Sequence, residues 1–165
     1  MSEASEGSTV RELFTRRPVA PPPPTCINGR MPHLTVYAVE SQLAGVEPAL
    51  TTGLTEAVTT VYGEWVRSTV VVRLIGVPDV RWTVGGEIDA SRSAPEVRMG
   101  IRAIAFARDD WPTVAQRLVG AITDAVAAAV GEGLRESILV ELLPERDDRI
   151  ALGGALIGDP PQPMT

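Results

Sequence analysis

The sequence is poor in the residues that build disulfides, zinc sites and nucleic-acid interfaces. A single cysteine, Cys26, cannot form an intrachain disulfide, and a single histidine, His33, does not supply the paired spacings of a zinc site. No run of basic residues is longer than Arg16-Arg17, and the formal net charge is −6. The chain therefore lacks the positive surface that binds nucleic acid.

The sequence also lacks the signals of membranes and nucleotide cofactors. No stretch of 18 apolar residues is present, and residues 1–30 do not have the charged start, apolar middle and small-residue cleavage site of a secretory signal. Neither a GxGxxG motif nor a phosphate-binding P-loop occurs. We therefore expect a cytoplasmic protein that uses no cofactor and no metal and has no nucleic-acid or membrane partner.

Length and proline distribution outline the domain. The 165 residues suit one compact domain. Residues 1–30 contain the run Pro21 to Pro24 and are predicted to form a disordered leader, because this composition buries little apolar surface. Residues 158–165 are also proline-rich and are predicted to form a flexible tail. The folded domain is expected at residues 31–157.

The region between these ends contains an internal repeat. A gapless shift aligns residues 30–88 with residues 98–156. Identical pairs run along the whole alignment and include Met31 and Met99, Leu50 and Leu118, Gly63 and Gly131, and Gly85-Gly86 and Gly153-Gly154. This pattern favours a tandem duplication with repeats at 31–90 and 99–157.

Each repeat predicts a strand, a helix and a second strand. Apolar, β-prone runs predict first strands at 33–39 and 101–107, and second strands, covered on both faces, at 70–75 and 138–143. Apolar residues at helical spacing lie between them: Val46, Leu50, Leu54, Val58 and Val61, then Val114, Leu118, Ile122, Val126 and Ala129. Residues 87–98 would connect the repeats. The predicted fold class is α+β, with tandem βαβ repeats forming a four-stranded mixed sheet and two helices on one face.

The order of these features resembles a known family. A strand opened by Met31-Pro32, a helix, a second strand and then Trp82-Thr83-Val84-Gly85-Gly86 resemble the tautomerase superfamily, typified by 4-oxalocrotonate tautomerase (4-OT). The two-repeat chain is similar to fused members such as cis-3-chloroacrylic acid dehalogenase, malonate semialdehyde decarboxylase and macrophage migration inhibitory factor. The resemblance implies a cofactor-independent isomerase for a small keto/enol substrate that assembles as a homotrimer.

The resemblance implies that Pro32 is catalytic. In the family, the secondary amine of an N-terminal proline is the acid/base, and a free α-amine has a pKa near ~8 before its surroundings act on it. Here Pro32 follows other residues, and its nitrogen is therefore a tertiary amide. Three interpretations stay open: translation starts at Met31, the leader is cleaved, or this chemistry is lost. The alignment of Met99-Gly100 with Met31-Pro32 predicts that only the first repeat offers such a proline.

The resemblance also implies substrate-binding positions. The family's two carboxylate-binding arginines are replaced here by Gln42 and Val70, and in the second repeat by Asp110 and Ile138. Trp82 is expected to wall the pocket, Gln42 stands at a substrate position, and Arg108 is the candidate that would meet an anionic group. Arg73 is a poor substitute for these arginines, because an offset of three from Val70 reverses its face.

Two other functions and an assembly remain as hypotheses. The chain could be a catalytically silent oligomeric scaffold whose leader presents Pro21 to Pro24 as a polyproline ligand. It could also hydrate or decarboxylate a small unsaturated or β-keto acid, which would need Arg108 as a carboxylate anchor. Apolar residues on both faces of the strand at 33–39 predict an uncovered apolar sheet face and favour a homotrimer. His33 is expected to be an ordinary strand residue.

Overall fold

The computed structural model describes residues 32–89 and 92–157. The predicted leader, including Pro21 to Pro24, and the predicted tail lie outside the described residues. The strands are β1 (His33–Val39), β2 (Val71–Val77), β3 (Glu96–Arg102), β4 (Leu139–Glu145), β5 (Ala151–Leu152) and β6 (Ala155–Leu156). The helices are α1 (Glu40–Leu43), α2 (Glu47–Tyr62) and α3 (Trp111–Val130).

Four strands form one mixed sheet in the order β2-β1-β3-β4. β1 is parallel to β2, β3 is parallel to β4, and the central pair β1 and β3 is antiparallel. Each parallel pair is joined by a helix, α2 in the first unit and α3 in the second. The predicted α+β fold of two βαβ units is therefore confirmed.

One face of the sheet carries the hydrophobic core. Alternate residues of β1 and β3 are buried there because successive side chains of a strand point to opposite faces. The core combines them with the apolar stripes of both helices: Leu34, Val36, Val97, Met99, Leu50, Leu54, Leu118, Ile122 and Val126. The helical periodicity read from the sequence thus identified the packed faces of α2 and α3 correctly.

α3 is long and apolar enough, by length and composition alone, to cross a membrane. In this structure its residues Leu118, Ile122 and Val126 are fully buried and belong to the same core cluster as the strands. These residues lie four positions apart, which is a spacing of one helix face. α3 therefore serves as a core helix of this fold.

The sheet face opposite α2 and α3, called here the open face, is not covered by any element within residues 32–89 and 92–157. Ile75, Leu139 and Leu143 are 39%, 48% and 41% exposed on it. Charged side chains share this face, and Arg98 Nε donates to a carboxylate oxygen of Glu141 at 2.7 Å. The prediction that β2 and β4 are covered on both faces is wrong for the single protomer.

From the helices onward, equivalent positions of the two repeats keep the constant offset of the gapless sequence alignment. Gly63 and Gly131 follow α2 and α3 with positive φ, as the repeat requires. Gly85-Gly86 and Gly153-Gly154 adopt nearly the same positive φ angles, 63° and 86° in the first pair and 61° and 88° in the second. Such angles fit two-residue hairpin turns, which glycine adopts without a steric penalty.

The first strand of the second repeat lies elsewhere than predicted. β3 ends at Arg102, and Ala103–Ala107, expected to be strand, is a 3₁₀ helix. The starts of β2 and β4, Val71 and Leu139, keep the offset of the alignment, whereas β3 starts at Glu96 and not at Ile101, the position aligned with His33. The second repeat therefore has additional length between its first strand and its helix, and Ala103–Ala107 fills it.

This shift changes which residues are equivalent in the two repeats. Val71 N donates to the Pro32 carbonyl at 3.1 Å, and Leu139 N donates to the Pro95 carbonyl at 3.2 Å. Pro95 is therefore the counterpart of Pro32, and the prediction that only the first repeat offers a proline is wrong. The expected connector at 87–98 ends before Pro95, and Met99 is a buried core residue of β3.

Ile122→Ala should lower the free energy of unfolding by about 2–5 kcal/mol, because it leaves a cavity in a fully buried part of the core. Val80→Ala is the matched control, since Val80 is 71% exposed and its truncation should change stability by less than about 0.5 kcal/mol. Urea unfolding measures both values. Equal effects of the two substitutions would contradict the core assignment.

Candidate functional site

The antiparallel pairing of β1 and β3 gives the sheet two different ends. The Pro32 end is defined by Pro32, His33, Gly100, Arg102 and Glu145. The Pro95 end is defined by Pro95, Glu96, Tyr37, Val77 and Trp82. A seven-residue strand separates the two ends by about 20 Å at ~3.3 Å per residue.

Pro32 is the residue immediately before β1. It is buried and shares its strand parity with buried Leu34. Its carbonyl accepts the hydrogen bond from Val71 N described above, which fixes it to the first residue of β2. A proline suits this position because the start of a strand needs no ladder N–H.

The side chains of His33 and Glu145 meet on the open face at the Pro32 end. His33 Nε2 lies 3.1 Å from Glu145 Oε1, and the side chains are 27% and 22% exposed. Sequence reasoning treated His33 as an ordinary strand residue and did not identify Glu145. The repeat alignment offered one signal, because Glu145 falls on the apolar Val77 of the first repeat.

A second charged pair lies beside the first. Arg102, the register partner of Glu145, donates from Nε to Asp147 Oδ1 at 2.9 Å and from Nη2 to Oδ2. This bidentate contact lowers the pKa of the Asp147 carboxyl below its usual range, and partial desolvation opposes the effect. The Pro32 end therefore carries two acid–base pairs on neighbouring positions.

Arg108 follows the 3₁₀ helix Ala103–Ala107, which continues from the end of β3, so it belongs to the Pro32 end. Its Nε and Nη2 donate to the Asp110 carboxylate at 2.8 and 2.7 Å, and both side chains are more than half exposed. The pairing lowers the pKa of Asp110 and raises that of Arg108. Burial raises the pKa of Tyr62, while the charge of Arg108 lowers it and the charge of Asp110 raises it. An anionic substrate would have to compete with Asp110 for Arg108.

The Pro95 end holds an open cleft of about 350 Å³. Its lining residues are Tyr37, Val77, Arg81, Trp82, Thr83 and Glu96. Gln42 of α1 lies at the same end and donates from Nε2 to the Ser93 carbonyl at 2.8 Å, which ties α1 to the segment before Pro95. Trp82 thus lines a cleft, as a pocket wall would, and Gln42 has a structural contact.

Within one protomer the predicted site residues fall into two groups. Pro32 and Arg108 belong to one end of the sheet, whereas Trp82 and Gln42 belong to the other. The protomer therefore does not bring the candidate amine and the candidate aromatic wall together. Across residues 32–89 and 92–157, no three His, Cys, Asp or Glu side chains are grouped to hold a metal ion.

Arg102→Gln should lower the free energy of unfolding at pH 7 by about 0.5–1 kcal/mol, because it removes a bidentate ion pair. Arg102 lowers the folded-state pKa of Asp147, so this stabilisation is complete above the unfolded-state pKa of about 3.9. It is lost as the pH falls through the lower folded-state pKa. Urea unfolding should show a gap between parent and variant at pH 7 that narrows as the pH falls below the unfolded-state pKa of about 3.9.

Arg146→Gln is the matched control for this measurement. Its pair with Asp148 has similar geometry, but the two side chains are 59% and 56% exposed, compared with 32% each for Arg102 and Asp147. Solvent screens the exposed pair more strongly, so its removal should change stability less. A gap for Arg102→Gln that stays constant down to the lowest pH would contradict the role of Asp147.

No protein-family model and no curated protein matches this sequence. Solved structures do match. An asymmetric trimer of F6 fused 4-OT superposes with a TM-score of 0.64 at 21% identity, covering 76% of this chain and 96% of that chain.

Two further structures contain inhibited or inactivated proteins. Pt0534 inactivated by 2-oxo-3-pentynoate has a TM-score of 0.62 at 17% identity, covering 76% of this chain and 97% of that one. FG41 malonate semialdehyde decarboxylase inhibited by 3-bromopropiolate has a TM-score of 0.57 at 14% identity, covering 74% and 89%. At these identities the likeness establishes the fold. The described domain has the tautomerase fold in its fused, two-repeat form.

Proposed function

We propose that this protein is a cofactor-independent, tautomerase-like enzyme for small keto/enol compounds, with the Pro32 amine as its general acid/base. The position of Pro32 carries this proposal. It stands directly before β1 in the fold of fused 4-OT, and its carbonyl is anchored to Val71 at the sheet end. The inactivation of Pt0534, which has the same fold, by 2-oxo-3-pentynoate supports a reactive group in this class of structure.

The chemistry needs a neutral secondary amine at Pro32. Such an amine takes a proton from carbon next to a carbonyl, and the resulting ammonium returns the proton to oxygen or to another carbon. Burial favours the neutral form of an amine, and Pro32 is buried. Arg102 and Arg108 lie at the same end, and a developing enolate oxygen would have to compete with Asp147 and Asp110 for their guanidinium groups.

The mechanism also needs a free Pro32 nitrogen, which arises when Met31 is the initiator and is removed or when the leader is cleaved. The sequence makes this step easy to test. All 15 cationic residues are arginine, and the one cysteine, Cys26, precedes Met31. A chain that begins at Pro32 therefore has no lysine and no thiol to compete with its terminal amine.

A chain expressed from Met31 should lose its methionine and convert phenylenolpyruvate to its keto form. Pro32→Ala should lower this rate at least about tenfold, because it removes the secondary amine. Treatment with 2-oxo-3-pentynoate should add one molecule per chain, with fragmentation mass spectra locating it on Pro32. The full-length chain, in which Pro32 is an amide, should gain no adduct at that residue.

Pro95→Ala in the same chain is the matched control. Pro95 occupies the equivalent strand position, yet its nitrogen is an amide in every form of the protein, so the substitution should leave labelling intact. A chain that begins at Pro32 and neither takes up the label nor turns over the enol would overturn the proposed amine mechanism. Intact mass of protein from its natural source then reports whether this N-terminus occurs.

We further propose that the active protein is a homotrimer whose sites lie between subunits. A separation of about 20 Å keeps Pro32 and Trp82 of one protomer apart, whereas a closed ring brings unlike ends of neighbouring protomers together. The exposed Ile75, Leu139 and Leu143 supply apolar area on the open face for such contacts. The fused 4-OT structures of this fold are described as asymmetric or symmetric trimers, which supports the proposal.

Light scattering at micromolar concentration should give three times the mass of one chain. In the chain that begins at Pro32, Pro32→Ala and Trp82→Ala should each lose activity alone. Co-expressed in equal amounts, they should recover about one quarter of the parent activity, since random mixing leaves that share of interfaces with both native residues. A monomer, or no recovery, would contradict a shared site.

Decarboxylation is the second candidate reaction, because FG41 malonate semialdehyde decarboxylase has the same fold. That reaction, like hydration of an unsaturated acid, needs a cation to hold the substrate carboxylate. Arg108 lies at the Pro32 end, but Asp110 already binds it through two hydrogen bonds. This pairing favours keto/enol substrates without a carboxylate anchor, and malonate semialdehyde tested beside phenylenolpyruvate separates the two reactions.

A further inference from the structure

The contact between His33 and Glu145 spans three strands. His33 lies on β1 and Glu145 on β4, and β3 runs between these strands. Neighbouring strands are about 4.8 Å apart, so the two side chains must reach across the middle strand to meet. The residue of β3 that faces His33 in the register is Gly100.

Gly100 leaves the space in which the side chains of His33 and Glu145 meet. A Cβ at this position would lie 2.5 Å from His33 Cε1 and 2.7 Å from Glu145 Cδ. Real Cβ atoms do not approach other atoms so closely, so any larger residue would push the two side chains apart. Gly100 has no positive φ that would require glycine, and the space above it is filled by the pair.

The other end of the sheet lacks this arrangement. The counterparts of the three residues under the repeat relation of the strands are Glu96 for His33, Tyr37 for Gly100 and Val77 for Glu145. Tyr37 fills the middle position there, and its ring lies 5.3 Å from the Arg98 guanidinium. The Pro95 end therefore forms without such a pair, so the fold does not require the contact between His33 and Glu145.

The pair has the chemistry of an oriented base. A carboxylate oxygen 3.1 Å from Nε2 favours the imidazole tautomer that carries its proton on Nε2 and its lone pair on Nδ1. Imidazole takes up and releases protons near neutral pH more readily than other side chains. The nearby Arg102 lies on the same face and is bound by the Asp147 carboxylate.

We propose that His33, oriented by Glu145 over Gly100, is a proton-transfer residue for a small keto/enol compound, acting independently of the Pro32 amine. His33 Nδ1 takes the hydroxyl proton of an enol while the O–H bonding pair forms the π bond of the carbonyl and the C=C pair moves onto the carbon. The imidazolium then returns that proton to the carbon, where the former double-bond pair forms the C–H bond. No oxidant, reductant or metal is consumed, and the full-length chain, whose Pro32 nitrogen is an amide, retains this route.

The test uses the full-length chain, in which the amine route is closed. His33→Gln should lower kcat for phenylenolpyruvate ketonisation about 100-fold, and Glu145→Gln and Gly100→Ala about tenfold or more. Glu141→Gln is the matched control, because Glu141 lies on the same strand and face but pairs with Arg98, and kcat should change less than about twofold. Light scattering and circular dichroism check that each variant keeps its assembly and fold.

Two readouts separate a catalytic base from a structural contact. His33 is the sole histidine, so its ring ¹⁵N signals in the full-length chain are unique and should show the Nε2–H tautomer, which Glu145→Gln disturbs. The pH–rate profile of the parent should have a limb that His33→Gln removes. The charged group in contact with His33 is Glu145, whose register partner Arg102 is bound by Asp147, and the facing residue of β2 is the uncharged Val71.

The outcomes distinguish this proposal from that for Pro32. Loss of activity in full-length His33→Gln supports the pair even when the chain that begins at Pro32 shows no amine chemistry. The shorter chain could show activity that depends on Pro32 while the full-length chain does not exceed the uncatalysed rate. That result would overturn the proposed role of His33 and would support the proposed role of the Pro32 amine. Full-length His33→Gln with activity within about twofold of the parent would also overturn it.

Discussion

The pairing of β1 with β3 is the contact on which the rest of the structure depends. Each βαβ unit is closed within itself, and the ladder from His33–Gly100 to Tyr37–Glu96 is what joins the two units into one sheet. Because this ladder is antiparallel, one repeat is turned relative to the other. Each end of the sheet therefore combines the start of one unit's first strand with the last residues of the other unit's strands.

The local features of the fold could be predicted from the sequence, because each has its own period or turn chemistry. Helix periodicity identified both packed faces, and the aligned glycine pairs marked equivalent positions that the structure shows to be hairpin turns. β3 was missed because a gapless alignment cannot show the inserted length at Ala103–Ala107, whose apolar composition imitates a strand. The true strand, Glu96–Arg102, alternates charged or small residues with Val97, Met99 and Ile101, which is the period of a half-covered strand.

The site was harder to predict, because its residues meet through the direction and register of strands. Resemblance indicated Pro32 and Trp82 as candidates, but the sequence does not show that they lie at opposite ends of one sheet. The contact of His33 with Glu145 depends on a glycine in the intervening strand and on the register of two ladders. None of these is visible before the pairing of β1 with β3 is known.

Divergence of the two repeats has made the sheet ends unlike, and this difference bears on assembly. The Pro32 end carries the His33–Glu145 pair and Arg102, whereas the Pro95 end carries Tyr37 and Trp82 around an open cleft. A ring that joins head to tail always places one kind of end against the other. In the proposed trimer, each site therefore combines acid–base groups from one protomer with the aromatic wall of its neighbour.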